Sequence, residues 1–331
     1  MIETGVSYYG CLFRDHIKKD IIELVDHGVT SIVLAVSEYE MSIWFDRIKE
    51  IIELFKYYGL KVYWDFWAWG KVFGGEATSE YLQKNIKHRQ VRSNGEIAPA
   101  ACFNDRDFVN YLLVSIDQVA EETEIDGFFW DEPSFYNLPQ DDAWACLCKV
   151  CQTKFKEEFG YPMPKELNDD VIKFREESIL RFLQELLARV KENNEKLKNI
   201  ICVLPEKNPK IGIINWDKIA KLSGLDVLSS DPYWPIFDKS FEWYKDVTTE
   251  IKSIASRYNL ESQIWLQLFM LPENEVHRLE DAVVFAKEVG INSIFAWPFR
   301  AAEGQIIASE NPEKTWRILR KIYKKLKMGE I

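Results

Sequence analysis

Eight short apolar runs punctuate this chain, at 3–9, 31–36, 61–66, 127–130, 200–204, 227–230, 264–269 and 293–297. They are rich in β-branched and aromatic residues, the composition of parallel strands buried on both faces. Between them apolar residues recur at helical spacing, as over 44–58 and 171–193. The second of these segments places Ile179, Phe182, Leu183, Leu186, Leu187 and Val190 on one face. Gly28, Gly59, Gly224 and Gly290 stand where helical segments give way to the next strand. Strand and helix alternating eight times predict a single (β/α)8 TIM barrel over 1–331, a length such barrels commonly reach. A doubly wound open sheet is the alternative, without a Gly-x-Gly-x-x-Gly or Walker motif in its favour. Two connections are long, 68–105 after the third strand and 133–170 after the fourth. In a barrel both leave from the C-terminal face, where such enzymes keep their sites.

Charge narrows the partners. Acids outnumber bases 53 to 42, for a net charge of −11, which argues against nucleic acid or an anionic membrane. No apolar segment approaches the roughly 20 residues of a membrane span. The start, MIETGVSYYG, lacks the basic and apolar regions of a secretory signal, so the chain is expected in the cytoplasm. The six cysteines are then expected as reduced thiols or metal ligands. Abundant Lys and Glu with little Gln suggest a thermophile. A homo-oligomer stays open.

In a barrel, function collects where strands stop, and here acids meet aromatics. The third strand ends Asp65-Phe66-Trp67-Ala68-Trp69, the fourth Trp130-Asp131-Glu132-Pro133, and the sixth Asp231-Pro232-Tyr233-Trp234. The seventh carries Gln267, and the eighth ends Trp297-Pro298-Phe299-Arg300. Three acid-plus-aromatic endings on one face suggest a pocket with carboxylates in its floor and aromatic walls. That composition suits a carbohydrate: cleaving a glycosidic bond takes one carboxylic acid to protonate the leaving oxygen and a second carboxylate to attack or to activate water. Adjacent Asp131 and Glu132 would raise one another's proton affinity. Strict alternation turns only one of them inward, but the strand break at Pro133 is expected to let both reach the mouth. Asp131, Glu132 and Asp231 are the catalytic candidates, with Glu132 first. Asp65, Trp67, Trp69, Tyr233, Trp234, Gln267, Trp297 and Arg300 are the substrate-binding candidates. Each also has a plainer reading: turn caps for Asp131 and Asp231, a loop ion pair for Glu132, a strand-to-strand bond for Asp65, core packing for the aromatics, and an ion pair with an acid for Arg300.

Cys146, Cys148 and Cys151 fall within six residues. Three thiolates so close repel without a cation, and a tetrahedral zinc takes four such ligands. Cys102, on the long connection after the third strand, is the best fourth. A closed Zn2+ site of four cysteines leaves no position for water and would be structural, stapling the two long connections beside the mouth. Unmetallated or oxidised cysteines are the alternative. Cys11 and Cys202 read as ordinary buried thiols. The four histidines show no ligand spacing, so no catalytic metal is expected.

A lone Cys after the third strand, then Cys-x-Cys-x-x-Cys after an acid-bearing fourth strand, resembles the zinc site of family-42 β-galactosidases. These are (β/α)8 retaining glycosidases with the acid/base Glu on the fourth strand and the nucleophile Glu on the seventh. The resemblance covers the barrel and implies zinc at Cys102, Cys146, Cys148 and Cys151, with Glu132 as acid/base. The chain departs from that pattern in two places. Asp131 stands where the family has Asn, and the seventh strand offers Gln267, with Glu273 only after it. The Trp-Asp ending of the fourth strand also looks like that of α-galactosidase-like enzymes, which would make Asp131 the nucleophile and Asp231 the acid. The function expected is that of a glycoside hydrolase acting on oligosaccharides. A sugar-binding barrel that has lost its seventh-strand nucleophile is the alternative. A lyase or aldolase would want a Schiff-base lysine or a metal at a strand end, and neither is evident.

Overall fold

The eight runs pair edge to edge in chain order and close on themselves. In the computed structural model, which describes residues 2–331, the barrel strands are β1 (Glu3–Tyr8), β2 (Ser31–Val36), β3 (Lys61–Phe66) and β4 (Gly127–Asp131), then β5 (Lys198–Val203), β6 (Val227–Ser230), β7 (Glu261–Gln267) and β8 (Ser293–Trp297). Every neighbouring pair is parallel, and β1 joins both β2 and β8, which leaves no free sheet edge. Helices such as Glu38–Tyr57, Arg106–Glu122 and Asp169–Asn193 return the chain to the start of the next strand. The fold is the expected (β/α)8 barrel.

Local chemistry sets these elements. Helix Glu38–Tyr57 opens on a reciprocal cap. The Ser37 side chain accepts from the Glu40 amide, and the Glu40 carboxylate accepts from the Ser37 amide at 2.8 Å. Helix Asp169–Asn193 buries Ile179, Phe182, Leu183, Leu186, Leu187 and Val190, the stripe visible in the sequence. Along the strands alternate residues turn outward to the helices or inward to the barrel axis. The inner set includes Val33, Tyr63, Phe129, Trp265 and Phe295. The Phe295 ring fills the place beside β1 where a Cβ on Gly5 would stand only 2.4 Å away.

Four strands differ from expectation in their bounds. β7 begins at Glu261 and ends at Gln267, where apolar content suggested 264–269. Its polar start lies inside the barrel because its groups are satisfied there. Ser229 Oγ donates to Gln263 Oε1 at 2.9 Å, and Trp265 Nε1 donates to the same oxygen at 3.0 Å. β5 likewise starts at Lys198, in ladder with Gly127. β4 runs one residue past expectation to Asp131, in register with Cys202, and β1 ends at Tyr8.

The segment between β3 and helix Arg106–Glu122 carries the short helix Glu80–Lys84 and an antiparallel ribbon of Arg89–Val91 with Ile97–Ala101. The segment between β4 and helix Asp169–Asn193 carries helix Lys149–Phe159. The two bind each other. The Leu147 amide donates to the Val91 carbonyl at 2.6 Å, the Ser93 amide to the Trp144 carbonyl at 2.8 Å, and the Tyr136 amide to the Gln90 side chain at 3.1 Å. Among the described residues no helix is long and apolar enough to cross a membrane.

Candidate active site

A cavity of about 260 Å³ opens at the C-terminal mouth of the barrel. Asp131 at the end of β4, Glu132 just after it, and Asp231 just after β6 all line it. Asp131 faces inward by strand parity. Glu132 would face outward, but its φ of +42° turns the chain out of the strand. The left-handed region is costly for a non-glycine residue and is held only where the surroundings demand it. Here the Glu132 amide still donates to the Cys202 carbonyl at 3.0 Å, and Pro133 follows with no amide to give. The alternation breaks at Glu132 itself, one residue before the expected place, and both acids reach the cavity. Gly74 closes them in. Its amide donates to the Asp131 carbonyl at 2.9 Å. A Cβ there would stand 2.3 Å from Asp131 Oδ2 and 3.2 Å from Glu132 Oε2.

The acids influence one another. Burial, and then the charges of Glu132 and Asp65, push the Asp131 carboxyl well above the ordinary range. Burial also raises Glu132 and Asp231, and their closeness lowers the first while raising the second further, which favours one proton held between them. Glu76, exposed on the cavity rim, adds negative potential at Asp65, Asp131 and Glu132. No Lys or Arg lines the cavity. Lys71, the nearby cation, spends its ammonium on the carbonyls of Gly75 at 2.9 Å and Ala77 at 3.1 Å, which fixes the rim.

The opposite wall is aromatic. Trp297 on β8 stands four strands round the ring from Asp131. Tyr9 stacks between Trp297, at 5.4 Å between ring centres, and Trp67, at 4.9 Å. Phe129 and Trp265 form the floor, and Tyr233 and Phe269 meet edge to face at one side.

Of the residues singled out from the sequence, Asp131, Glu132, Asp231, Tyr233 and Trp297 line the cavity, and Trp67 stands on its rim behind Tyr9. Four others are placed elsewhere. Trp69 lies behind the strands, donating to the Val36 carbonyl at 2.9 Å, because the chain turns left-handed at Ala68 and directs the ring outward. Trp234 donates to Glu275 at 3.0 Å and packs on Phe241 and Tyr244. Arg300 pairs with Glu23 and Asp20 on the outside of the barrel, its plainer reading. Gln267 lies beneath the wall, accepting from the Ile236 amide at 3.2 Å and donating to the Phe269 carbonyl at 2.9 Å. It therefore holds two wall segments in place and offers nothing to a ligand. Asp65 is fully buried beside the cavity, and neither carboxyl oxygen has a hydrogen-bond partner. Burial and the charge of Glu76 keep it protonated. The sequence reading missed Tyr9, Glu76, Phe129, Trp265 and the role of Gly74. It also passed over Cys202, which sits in the floor between Asp131 and Asp231. Parity along β4 and β7 could have found Phe129 and Trp265. Glu76 gives no local signal, since it lies in an irregular segment.

Beside the mouth the four cysteines come together, with their sulfurs all within 4.8 Å of one another. Cys102 Sγ lies 3.4 Å from Cys151 Sγ and 3.6 Å from Cys148 Sγ. These spacings are too long for disulfides and close to the edge of about 3.8 Å that four sulfurs have around a tetrahedral ion with metal–sulfur bonds near 2.3 Å. The set can hold a metal ion and fills its coordination with sulfur. Asn104 braces it, its side-chain amide lying 3.4 Å from Cys151 Sγ and 2.9 Å from Ser178 Oγ. The buried Arg175 guanidinium lies close by, donating to the Ala145 carbonyl at 2.5 Å.

No protein-family model and no curated protein matches the chain. Its fold is similar to solved structures. A β-galactosidase of the haloarchaeon Halorubrum lacusprofundi aligns with a TM-score of 0.76 at 13% identity, over 98% of this chain and 58% of that one. The β-galactosidase of Bacillus circulans sp. alkalophilus aligns at 0.75 and 14% identity, over 98% and 56%. The endo-1,4-β-mannanase of Rhizomucor miehei aligns at 0.68 and 11% identity, over 98% and 95%. The chain thus spans under two-thirds of the β-galactosidases' length and nearly all of the mannanase. The β-galactosidase resemblance carried by the cysteine pattern holds at the level of the (β/α)8 fold.

Proposed function

We propose that the protein is a glycoside hydrolase acting on neutral oligosaccharides, with Glu132 delivering the proton to the departing glycosidic oxygen. One observation carries this reading. Three carboxylic acids converge on a one-ring cavity facing aromatic walls, and the Glu132–Asp231 pair retains a proton that an exposed carboxylate would have lost. Asp231 is a positioning residue that stores the shared proton and hands it to Glu132. Asp131 lines the cavity with its carboxyl and supplies the second carboxyl group of the reaction. Trp265 and Trp297 stack on the sugar, and Tyr9 backs Trp297. A volume of about 260 Å³ sits at the small end for ligand sites and suits a single terminal ring. The similar solved structures named as β-galactosidases and a mannanase support the same class of chemistry.

The four-cysteine cluster suits zinc, since soft thiolates in a closed tetrahedral set select it. Held by Cys102, Cys146, Cys148 and Cys151, the ion would tie the two long segments that frame the mouth and take no part in the reaction.

A second reading has one observation in its favour. The end of β7 bears the amide of Gln267, fully engaged by backbone, so the barrel could bind sugar without cleaving it. The test is to incubate the protein with a panel of α- and β-linked oligosaccharides and follow new reducing ends by proton NMR, beside Glu132→Gln. Cleavage reduced on the order of 10²- to 10⁴-fold in the variant is the expected result. A folded protein that binds sugars and cleaves none of them would establish the second reading.

A further inference from the structure

Three of the four carboxylates that line the cavity, Asp131, Glu132 and Asp231, stand together on one side of it. Asp131 and Glu132 both lie against Gly74, one at 2.3 Å and the other at 3.2 Å from the same point, and Asp231 is hydrogen-bonded to Glu132. Attack on an anomeric carbon comes from the face opposite the leaving group, so a proton donor and a protein nucleophile flank the scissile bond. Their carboxyls are then about 5–5.5 Å apart, or about 6.5–9.5 Å apart when a water lies between. Glu132 and Asp231 lie close enough for each to shift the other's proton affinity through a side-chain hydrogen bond, which is nearer than either spacing. Asp131 shares Glu132's wall. Across the cavity stand Trp297 and Trp265, and at the end of β7 Gln267 has both amide ends occupied. Neither an indole ring nor an engaged amide can attack, and the fourth carboxylate of the lining, Glu76, stands exposed on the rim beside Gly75.

The groups that remain unoccupied describe what can. Asp131 offers an acceptor. The Tyr233 hydroxyl lines the cavity, and burial and the nearby carboxylates hold its proton, so it offers a donor. Phe129, Trp265 and Trp297 offer an apolar box. An acceptor, a donor and an apolar box in one small cavity match the N–H, the carbonyl oxygen and the methyl of an acetamido group.

Resting on the glycosidase reading above, we infer that the substrates are 1,2-trans 2-acetamido-2-deoxyglycosides and that the substrate's own acetamido oxygen is the nucleophile. In the first step the acetamido oxygen forms a bond to C1 as the C1–O bond to the leaving group breaks. Glu132 gives its proton to the departing oxygen, and Asp131 accepts a hydrogen bond from the amide N–H as positive charge grows there. In the second step water adds to C1 and Glu132 takes its proton. The ring formed by the acetamido group opens, and the sugar is released with its configuration retained. Tyr233 aims the carbonyl oxygen, and the aromatic box holds the methyl against the sugar ring.

The test compares 4-nitrophenyl β-glycosides of 2-acetamido-2-deoxyglucose and -galactose with their 2-hydroxy counterparts. It then replaces the acetyl group by its mono-, di- and trifluorinated forms. Expected are a kcat/KM preference for the acetamido sugars on the order of 100-fold, a progressive loss of rate with each fluorine, and competitive inhibition by a thiazoline mimic of the bicyclic intermediate. Equal or better cleavage of 2-hydroxy sugars, a rate indifferent to fluorination, or a 2-fluoro glycoside trapped covalently on Asp131 or Glu76 would overturn the inference while leaving a glycosidase. Inertness toward all of these and toward the oligosaccharide panel would remove the glycosidase reading itself.

Discussion

Two residues show how function is stored against stability. Asp65 is buried beside the cavity with both oxygens unpartnered, and burial lifts its proton affinity far above that in an unfolded chain. A group raised in this way contributes stability fully at pH values below its unfolded range and loses it as pH climbs through the folded value. Asp65→Asn cannot ionise, so its melting temperature should gain on the wild type as pH rises from 4 to 9, with the smallest difference at the acid end. A gap independent of pH would mean that Asp65 is not protonated by the fold. Gly74 acts by being small. In Gly74→Ala the new methyl meets the Asp131 carboxylate, a flexible end that can swing away. Stability should fall by about 1–2 kcal/mol, while turnover falls on the order of 10²-fold because the carboxylate is displaced. Equal turnover in the variant would show that the position of Asp131 does not matter.

At the level of elements, the two long segments behave as one cap because the cysteines join them. Cys102 ends the ribbon after β3, and Cys146, Cys148 and Cys151 lead into helix Lys149–Phe159 after β4. Metal analysis should return one zinc per chain, and Cys102→Ser should cost on the order of 4 kcal/mol or more, the range reached when a structural metal is lost. Protease sensitivity should then appear first within 67–105 and 132–168, with the strands still protected. An unchanged melting temperature would leave the cluster without a structural task. The cysteine site was legible in the sequence because its spacing is local and its fourth member follows from neighbouring strands in a barrel. The strand order was legible for the same reason, as parallel strands buried on two faces keep continuous apolar runs. The true start of β7 was hidden: Ser262 and Gln263 look like loop, yet they sit in the barrel with their polar atoms paired to Asn292 and Ser229.

Across the whole molecule, a net charge of −11 and a cavity lined by acids without a cation make the field at the mouth negative. Glycosiduronic acids should be cleaved at least about tenfold less efficiently than neutral counterparts, a gap that narrows at high salt. Equal rates would mean that the cavity field is not felt. Acids at strand ends identified the mouth of the barrel, but alternation alone could not say that Glu132 turns inward. Its positive φ depends on the Cys202 carbonyl, Pro133 and Gly74, which come from three different elements. Trp69, Trp234 and Arg300 shared the same sequence pattern and went elsewhere, because where a side chain points past a strand end is decided by the turn that follows. The central claim is that Glu132 delivers a proton to the leaving group. Its most direct test is kcat/KM of Glu132→Gln on two substrates of the same sugar, an unactivated disaccharide and a 4-nitrophenyl glycoside whose leaving group needs no proton. The expected result is a loss on the order of 10³-fold for the disaccharide and a far smaller loss for the nitrophenyl glycoside. An equal loss on both would contradict the role given to Glu132.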